Sequence, residues 1–196
     1  VHKAWDEWTA ILAGDGLLTL AFEVLADPAT HTEAAIRCEL VLLMARGAGA
    51  AGMVGGQALD LAFDKRGEPA APDLAHVTRL QGMKTGALIR AACEAGAILG
   101  GAAPEQRAAL VRYGDALGVA FQIADDLLDI EGDAAVVGKA LGKDENKATM
   151  AALLGIEPAR AKLQALKQDA IDSLAPFGAR ADALREAARF VVERKS

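Results

Sequence analysis

An all-α fold, built mostly of antiparallel helices, is predicted by three observations. Apolar residues make up 53% of the 196-residue chain and aromatics only 4%, so the core has to come mainly from Ala, Leu and Val. Ala and Leu are strong helix formers, and small residues let helices approach closely. The apolar residues recur at helical spacing, and no hairpin turn flanked by alternating residues appears. A chain of this length forms one domain with a substantial core, so residues 1–196 are read as a single helical domain.

The elements follow in order. Trp5, Trp8, Ile11 and Leu12 open a first helix at helical spacing, and Asp15-Gly16 is expected to end or kink it. The apolar run 17–25 continues to a turn at Asp27-Pro28. Thr32 or a neighbour caps the next helix, with Glu33 in its first turn, and this helix runs to Arg46. A glycine-rich stretch fills 47–56, and the helical pattern resumes over 57–63. Residues 64–72 make the clearest loop, with Lys65, Arg66, Gly67, Pro69 and Pro72. Asp73 caps a helix to about Arg79, and a separate helix spans 84–99 before Gly100-Gly101. Pro104 starts a helix that carries Tyr113 and runs into an Asp-rich segment. Residues 132–146 form a second loop. Two amphipathic helices, 159–174 and 179–195, flank Pro176-Phe177-Gly178.

Composition excludes several classes. A net charge of −6, from 27 acidic and 21 basic residues, argues against nucleic-acid binding, though a metal can still supply local charge for an anionic substrate. Cys38 and Cys93, far apart, form neither a disulfide framework nor a metal-ligand pair and are read as reduced thiols of a cytoplasmic protein. No apolar run reaches about 18 residues without a charged or polar break, so no membrane span is expected. The opening Val1-His2-Lys3-Ala4 is no signal peptide, and without an initiator Met the true N-terminus is expected upstream. Gly47-Ala48-Gly49-Ala50-Ala51-Gly52 fits the dinucleotide pattern G-x-G-x-x-G. That motif needs a preceding strand, and here a helix-compatible run carrying Arg37, Glu39 and Arg46 precedes it. These glycines are read as helix-packing residues.

The chemistry concentrates in Phe121-Gln122-Ile123-Ala124-Asp125-Asp126-Leu127-Leu128-Asp129. Three carboxylates end a stretch that is apolar nearly all round, where uncompensated burial is expensive. On a helix Asp125 and Asp129 share a face, and a cation between them relieves their repulsion. Hard oxygen ligands suit Mg2+, which usually keeps several waters and also binds substrate phosphates. Upstream, Lys84 and Thr85 enter an apolar helix, where the Lys suits charge-assisted bonds to a phosphate. Gln57 and Asp60 stand at i and i+3 and face the same way, with Asp60 a candidate for a metal's outer shell. Gly138, Lys139, Lys143, Asp144, Asn146 and Lys147 form a polar loop suited to closing over a diphosphate.

Together, in this order, these segments resemble the trans-isoprenyl diphosphate synthases (polyprenyl synthetases), most nearly the bacterial farnesyl and geranylgeranyl diphosphate synthases. The resemblance spans essentially the whole chain and includes Ile11-Leu12-Ala13-Gly14-Asp15, Gly55-Gly56-Gln57-Ala58-Leu59-Asp60 and Met83-Lys84-Thr85-Gly86-Ala87-Leu88. It implies an isoprenoid-synthase-type helical bundle around a central cavity. It also implies a prenyltransferase that condenses isopentenyl diphosphate with dimethylallyl or geranyl diphosphate by magnesium-assisted ionisation. Carried over by motif, Asp125, Asp126 and Asp129 are the second Asp-rich motif, with Asp125 expected in direct magnesium contact. Lys84, Lys139 and Lys147 bind the allylic diphosphate, Thr85 and Gln122 lie beside the carbocation, and Gln57 and Asp60 line the pocket. A homodimer is also implied.

One departure stands out. The family's first Asp-rich motif, and the basic residues for isopentenyl diphosphate, precede the part of the family that Val1-His2-Lys3 resembles, and neither occurs in these residues. The resemblance therefore implies a longer protein, and these 196 residues alone are expected to be inactive. The loop at Lys143-Asp144-Glu145-Asn146 also looks short for the family. The competing readings are a geranylgeranyl diphosphate synthase, a non-catalytic partner subunit of the same fold, and a purely structural helical protein.

Overall fold

The computed structural model describes residues 1–131 and 149–194. All regular structure among them is helical, as the composition predicts. The chain divides into two compact units, residues 1–45 and 46–196, and helix α2 runs across the division.

In the first unit, α1 (Glu7–Ala26) starts at Asp6, whose carboxylate accepts from the Thr9 backbone N–H at 2.7 Å. That satisfies one of the free donors at a helix start. The helix runs unbroken through Asp15-Gly16, against expectation. Each interior Gly weakens a helix by about 1 kcal/mol relative to Ala, and the two in α1, Gly14 and Gly16, do not break a helix of twenty residues. It ends at Asp27, as the Asp-Pro signal predicts. No residue of α1 is buried, and Trp8, Leu12 and Leu17 are all more than two-thirds exposed. Helix α2 (Ala34–Ala48) follows a turn that Arg37 ties down by donating to the carbonyls of His31 (2.6 Å) and Thr32 (2.9 Å).

By length and composition alone, Glu7–Ala26 and Ala34–Arg66 are apolar enough to cross a membrane. Each has a feature that opposes it. Asp15 sits near the middle of α1, where a bilayer penalises an acid by roughly 2.5–3.5 kcal/mol. The second stretch is broken between Ala48 and Met53.

In the second unit, α3 (Met53–Arg66) starts four residues earlier than the sequence suggests, so Gly55 and Gly56 lie inside it. It closes on Gly67 in the left-handed region (φ 65°), which only glycine adopts without strain. Asp73 caps α4 (Leu74–Gln81) by accepting from His76 N at 2.8 Å. The two helices expected over 73–79 and 84–99 are one continuous rod. Between α4 and α5 (Ala87–Leu99) the chain makes a π-helical turn, Gly82–Gly86, rather than a break. No proline interrupts 80–83, and a lone Gly82 does not end a helix. With helices on both sides of 49–52, the glycines there sit in no strand-turn-helix unit.

Helix α6 (Pro104–Glu131) is the spine. It returns along α5 after the short link 100–103, and it also packs against α8 (Ile156–Ser173). The short α7 (Met150–Leu154) is capped by the Thr149 hydroxyl. A 3₁₀ segment, Ala175–Ala181, leads into α9 (Asp182–Glu193), which lies on α8 and α6. One core cluster joins Ile123, Ala124 and Leu127 of α6 to Met150, Ala159, Leu163 and Val191. A second surrounds Tyr113, whose hydroxyl donates to the Leu184 carbonyl at 2.8 Å.

Candidate functional site

The π-helical turn is wedged between two glycines. A Cβ at Gly56 of α3 would lie 2.3 Å from the Lys84 nitrogen and 2.6 Å from its Cα. A Cβ at Gly118 of α6 would lie 2.8 Å from the Gly86 Cα. Both distances are too short for any side chain, so only glycine allows the three backbones to meet. A widened π turn of this kind recurs at functional sites, because it re-aims the side chains it carries. Here it carries Lys84 to a cleft between α3, α4 and α6.

The cleft has a volume of about 90 Å³, room for several waters. Phe63, Pro72, Val77 and Leu80 form its apolar wall. Asp60, His76, Gln81, Lys84, Gln122 and Asp126 supply polar groups, and Thr149 closes one side. Lys84 Nζ donates to Asp60 Oδ2 at 2.6 Å, and Asp60 is mostly buried. A strongly charge-assisted contact of this length holds the ammonium at the cleft.

Asp126 faces the same space from α6. Its Oδ2 accepts from the Met150 backbone N–H at 3.0 Å and from Gln81 Nε2 at 3.4 Å. Burial pushes its carboxyl up to about 6. The Ala151 and Met150 N–H groups and the Gln81 amide favour the charged form, while the Asp125 charge adds to the rise. Desolvation outweighs the hydrogen bonds, and the carboxyl rises.

Asp125 points elsewhere. Arg194, just past α9, lies 4.3 Å over the Phe121 ring and reaches Asp125 Oδ1 at 3.4 Å. Gln122 and Asp126, at i and i+4, share the face of α6 that lines the cleft, while Asp125 and Asp129, also at i and i+4, stand on the neighbouring face and do not line it. Gln57 and Thr85 do not line the cleft among the described residues. Lys139 and Lys147, with the rest of the expected polar loop, lie outside the described residues. The structure thus brings together Asp60, Lys84, Gln122 and Asp126. It adds His76, Gln81, the α7 backbone and Arg194, which were not singled out from the sequence. His76 and Gln81 are legible only once the helix of Lys84 is extended backward: His76, Leu80 and Lys84 fall at i, i+4 and i+8.

Among the described residues no three potential ligands converge as an all-protein metal cage. The donor set still suits Mg2+, which commonly takes one or two carboxylates and completes its shell with water and substrate phosphates. A half-buried carboxylate beside a polar cleft fits that description.

The sequence profile of the polyprenyl synthetase family matches residues 1–175. The chain is 41% identical over 202 residues to the farnesyl diphosphate synthase of Haemophilus influenzae, covering 100% of this chain and 65% of that enzyme. Among solved structures it resembles an FPP/GFPP synthase from Zymomonas mobilis in its apo form (TM-score 0.86, 46% identity, 97% of this chain and 63% of that one). It also resembles the geranyltransferase of Helicobacter pylori complexed with magnesium and isoprenyl diphosphate (TM-score 0.79, 32% identity, 98% and 62%). The chain spans about 65% of the length of the Haemophilus enzyme. The isoprenoid-synthase helical fold expected from the motifs is therefore the fold observed, and this chain belongs to the polyprenyl synthetase family.

Proposed function

We propose that the complete protein condenses isopentenyl diphosphate with an allylic diphosphate, dimethylallyl or geranyl, to give farnesyl diphosphate. The observation that carries this reading is the convergence of Lys84 and Asp126 on one cleft with an apolar wall. A cation-carboxylate pair at a polar mouth suits a diphosphate, and Phe63, Val77 and Leu80 suit a prenyl chain.

In this reading the allylic C–O bond breaks and both electrons leave with the diphosphate. The isopentenyl double bond attacks the allylic carbon, a C–C bond forms, and a proton is lost from the adjacent carbon. Lys84 binds the departing diphosphate, and Asp60 holds the Lys84 ammonium in place until substrate arrives. The Gln122 side-chain oxygen directs its dipole at the developing positive charge, and the apolar wall excludes water. The Asp-rich segment, through Asp126 and Asp129, would hold Mg2+, which would supply positive charge for the leaving diphosphate. The expected direct role of Asp125 is retained in a weaker form: its ion pair with Arg194 has to open before it ligates. Lys139 and Lys147 keep the roles their motifs imply, while Gln57 and Thr85, which do not line the cleft, carry none in this reading. A homodimer and a cytoplasmic location complete the proposal.

The test is incubation of the complete protein with isopentenyl and geranyl diphosphates and Mg2+, with products separated by chromatography. A fifteen-carbon diphosphate is expected. A twenty-carbon product reassigns the chain length, and no condensation with any allylic diphosphate refutes the reading.

A further inference from the structure

Arg194, the first residue past α9, stands where a cation that prefers solvent is not expected. Its side chain is only 13% exposed, and its Nε is buried with no hydrogen-bond partner among the described residues. The docking of α9 puts it there. Val191, three residues earlier, is buried in the core cluster with Ala124 and Leu127 of α6, so Arg194 is delivered against the same helix. Phe121 and Asp125, at i and i+4, share a face of α6, and the guanidinium reaches both. It lies 4.3 Å from the Phe121 ring centroid, and its Nη2 is 3.4 Å from Asp125 Oδ1. A strong charge-assisted bond would be roughly 2.7–2.9 Å long. A guanidinium held by a ring and a long ion pair, with one buried N–H unsatisfied, is weakly seated. Asp125 itself is 45% exposed and stays in contact with solvent. A cation about 2 Å from either Asp125 oxygen would stand within roughly 8 Å of the guanidinium, and like charges that close disfavour one another.

We propose that Arg194 is an autoinhibitory counter-ion: seated on Phe121, its guanidinium occupies Asp125 in the metal-free protein, and a divalent cation taken up by the Asp-rich segment has to expel it. The inference rests on the assignment of a cation to that segment, made above. It adds that the end of α9 competes with the cation, so that metal uptake and the Arg194 contact oppose each other. The opposition is reciprocal: whatever factor the contact takes from metal affinity, the metal takes from the contact.

The experiment is a titration of the complete protein with Mn2+ in the presence of inorganic diphosphate, read by electron paramagnetic resonance. It compares wild type with Arg194→Met, Phe121→Leu, Arg189→Met and Asp125→Asn. Arg194→Met keeps an apolar stem against the ring and removes the charge. It is expected to tighten Mn2+ binding about 5-fold, the low end for coupled sites, because Asp125 is nearly half exposed. Phe121→Leu changes no charge but removes the seat of the guanidinium, and is expected to tighten binding about 3-fold. Arg189→Met takes the same charge from α9, where Arg189 pairs with Glu186 of its own helix, and is expected to stay within about twofold of wild type. Unchanged or weaker binding in Arg194→Met, or an equal gain in Arg189→Met, overturns the proposal. A gain in Arg194→Met with none in Phe121→Leu overturns it too, since charge at a distance then accounts for the effect. Mn2+ affinity that survives Asp125→Asn unchanged overturns the inference alone, and a wild type that binds no Mn2+ overturns the cation assignment itself. Should Phe121→Leu fail to fold, Phe121→Met takes its place with the same thresholds.

Discussion

Replacing Asp126 by Asn is expected to stabilise the metal-free protein at neutral pH, by an amount that grows as pH rises. Burial raises the Asp126 carboxyl from 3.8 to about 6 in the folded state. Below 3.8 both folded and unfolded chains carry the proton, and the group makes no difference to stability. Between 3.8 and about 6 the unfolded chain ionises first, so the folded state loses ground as pH rises. Above about 6 the full penalty persists. Each tenfold difference in proton affinity is worth roughly 1.4 kcal/mol, which gives about 3 kcal/mol at pH 7 and less than about 1 kcal/mol at pH 4. Asn keeps a carbonyl oxygen for the Met150 N–H and the Gln81 amide, so the contacts that position the side chain survive. The measurement is chemical denaturation of both proteins in a chelating buffer at pH 4, 5.5 and 7. Other titrating groups are common to both proteins and cancel in the difference. A difference that stays flat with pH, or a wild type more stable than Asp126→Asn at pH 7, would refute the reasoning. Adding Mg2+ and diphosphate should then stabilise wild type and leave the variant largely unchanged.

Two further outcomes are expected. Lys84→Ala removes the ammonium that sits 2.6 Å from Asp60, and should weaken allylic diphosphate binding by roughly 10–100-fold, the worth of one charge-assisted hydrogen bond; calorimetry showing unchanged affinity would remove Lys84 from the site. Gly56→Ala places a methyl against the Lys84 backbone and should lower stability by about 1–3 kcal/mol in thermal melts. The gain in helix propensity, about 1 kcal/mol, does not offset a clash with backbone. A stability equal to wild type would show that α3 and the π turn are not locked together.

The sequence by itself determined everything that rests on neighbours within a turn or two. Asp6 and Asp73 cap the helices they precede, Asp27-Pro28 ends the first, and Gly67 closes the third, because capping and turn chemistry act over three or four residues. The Lys-Thr and Asp-rich motifs were legible for the same reason, since their residues belong to single helices. Local signals also misled where they were weak. Asp15-Gly16 and the interval 80–83 read as breaks, and the helical backbone runs through both.

What only the tertiary structure decided is which side of each helix meets the others. The i, i+4 rule pairs Asp125 with Asp129 and cannot say how α6 is rotated. Ile123, Ala124 and Leu127 fix that rotation by turning into the core, and the turn carries Asp126 rather than Asp125 to the cleft. The groups that then act on these carboxylates come from far along the chain: Gln81 is 45 residues from Asp126, and Arg194 is 69 from Asp125. Asp60 reads alone as a candidate for a metal's outer shell, and the structure gives it a partner 24 residues away, Lys84. Periodicity reports the stripes on a helix. Their contacts depend on the burial of apolar side chains from every helix at once, and no local signal encodes that sum.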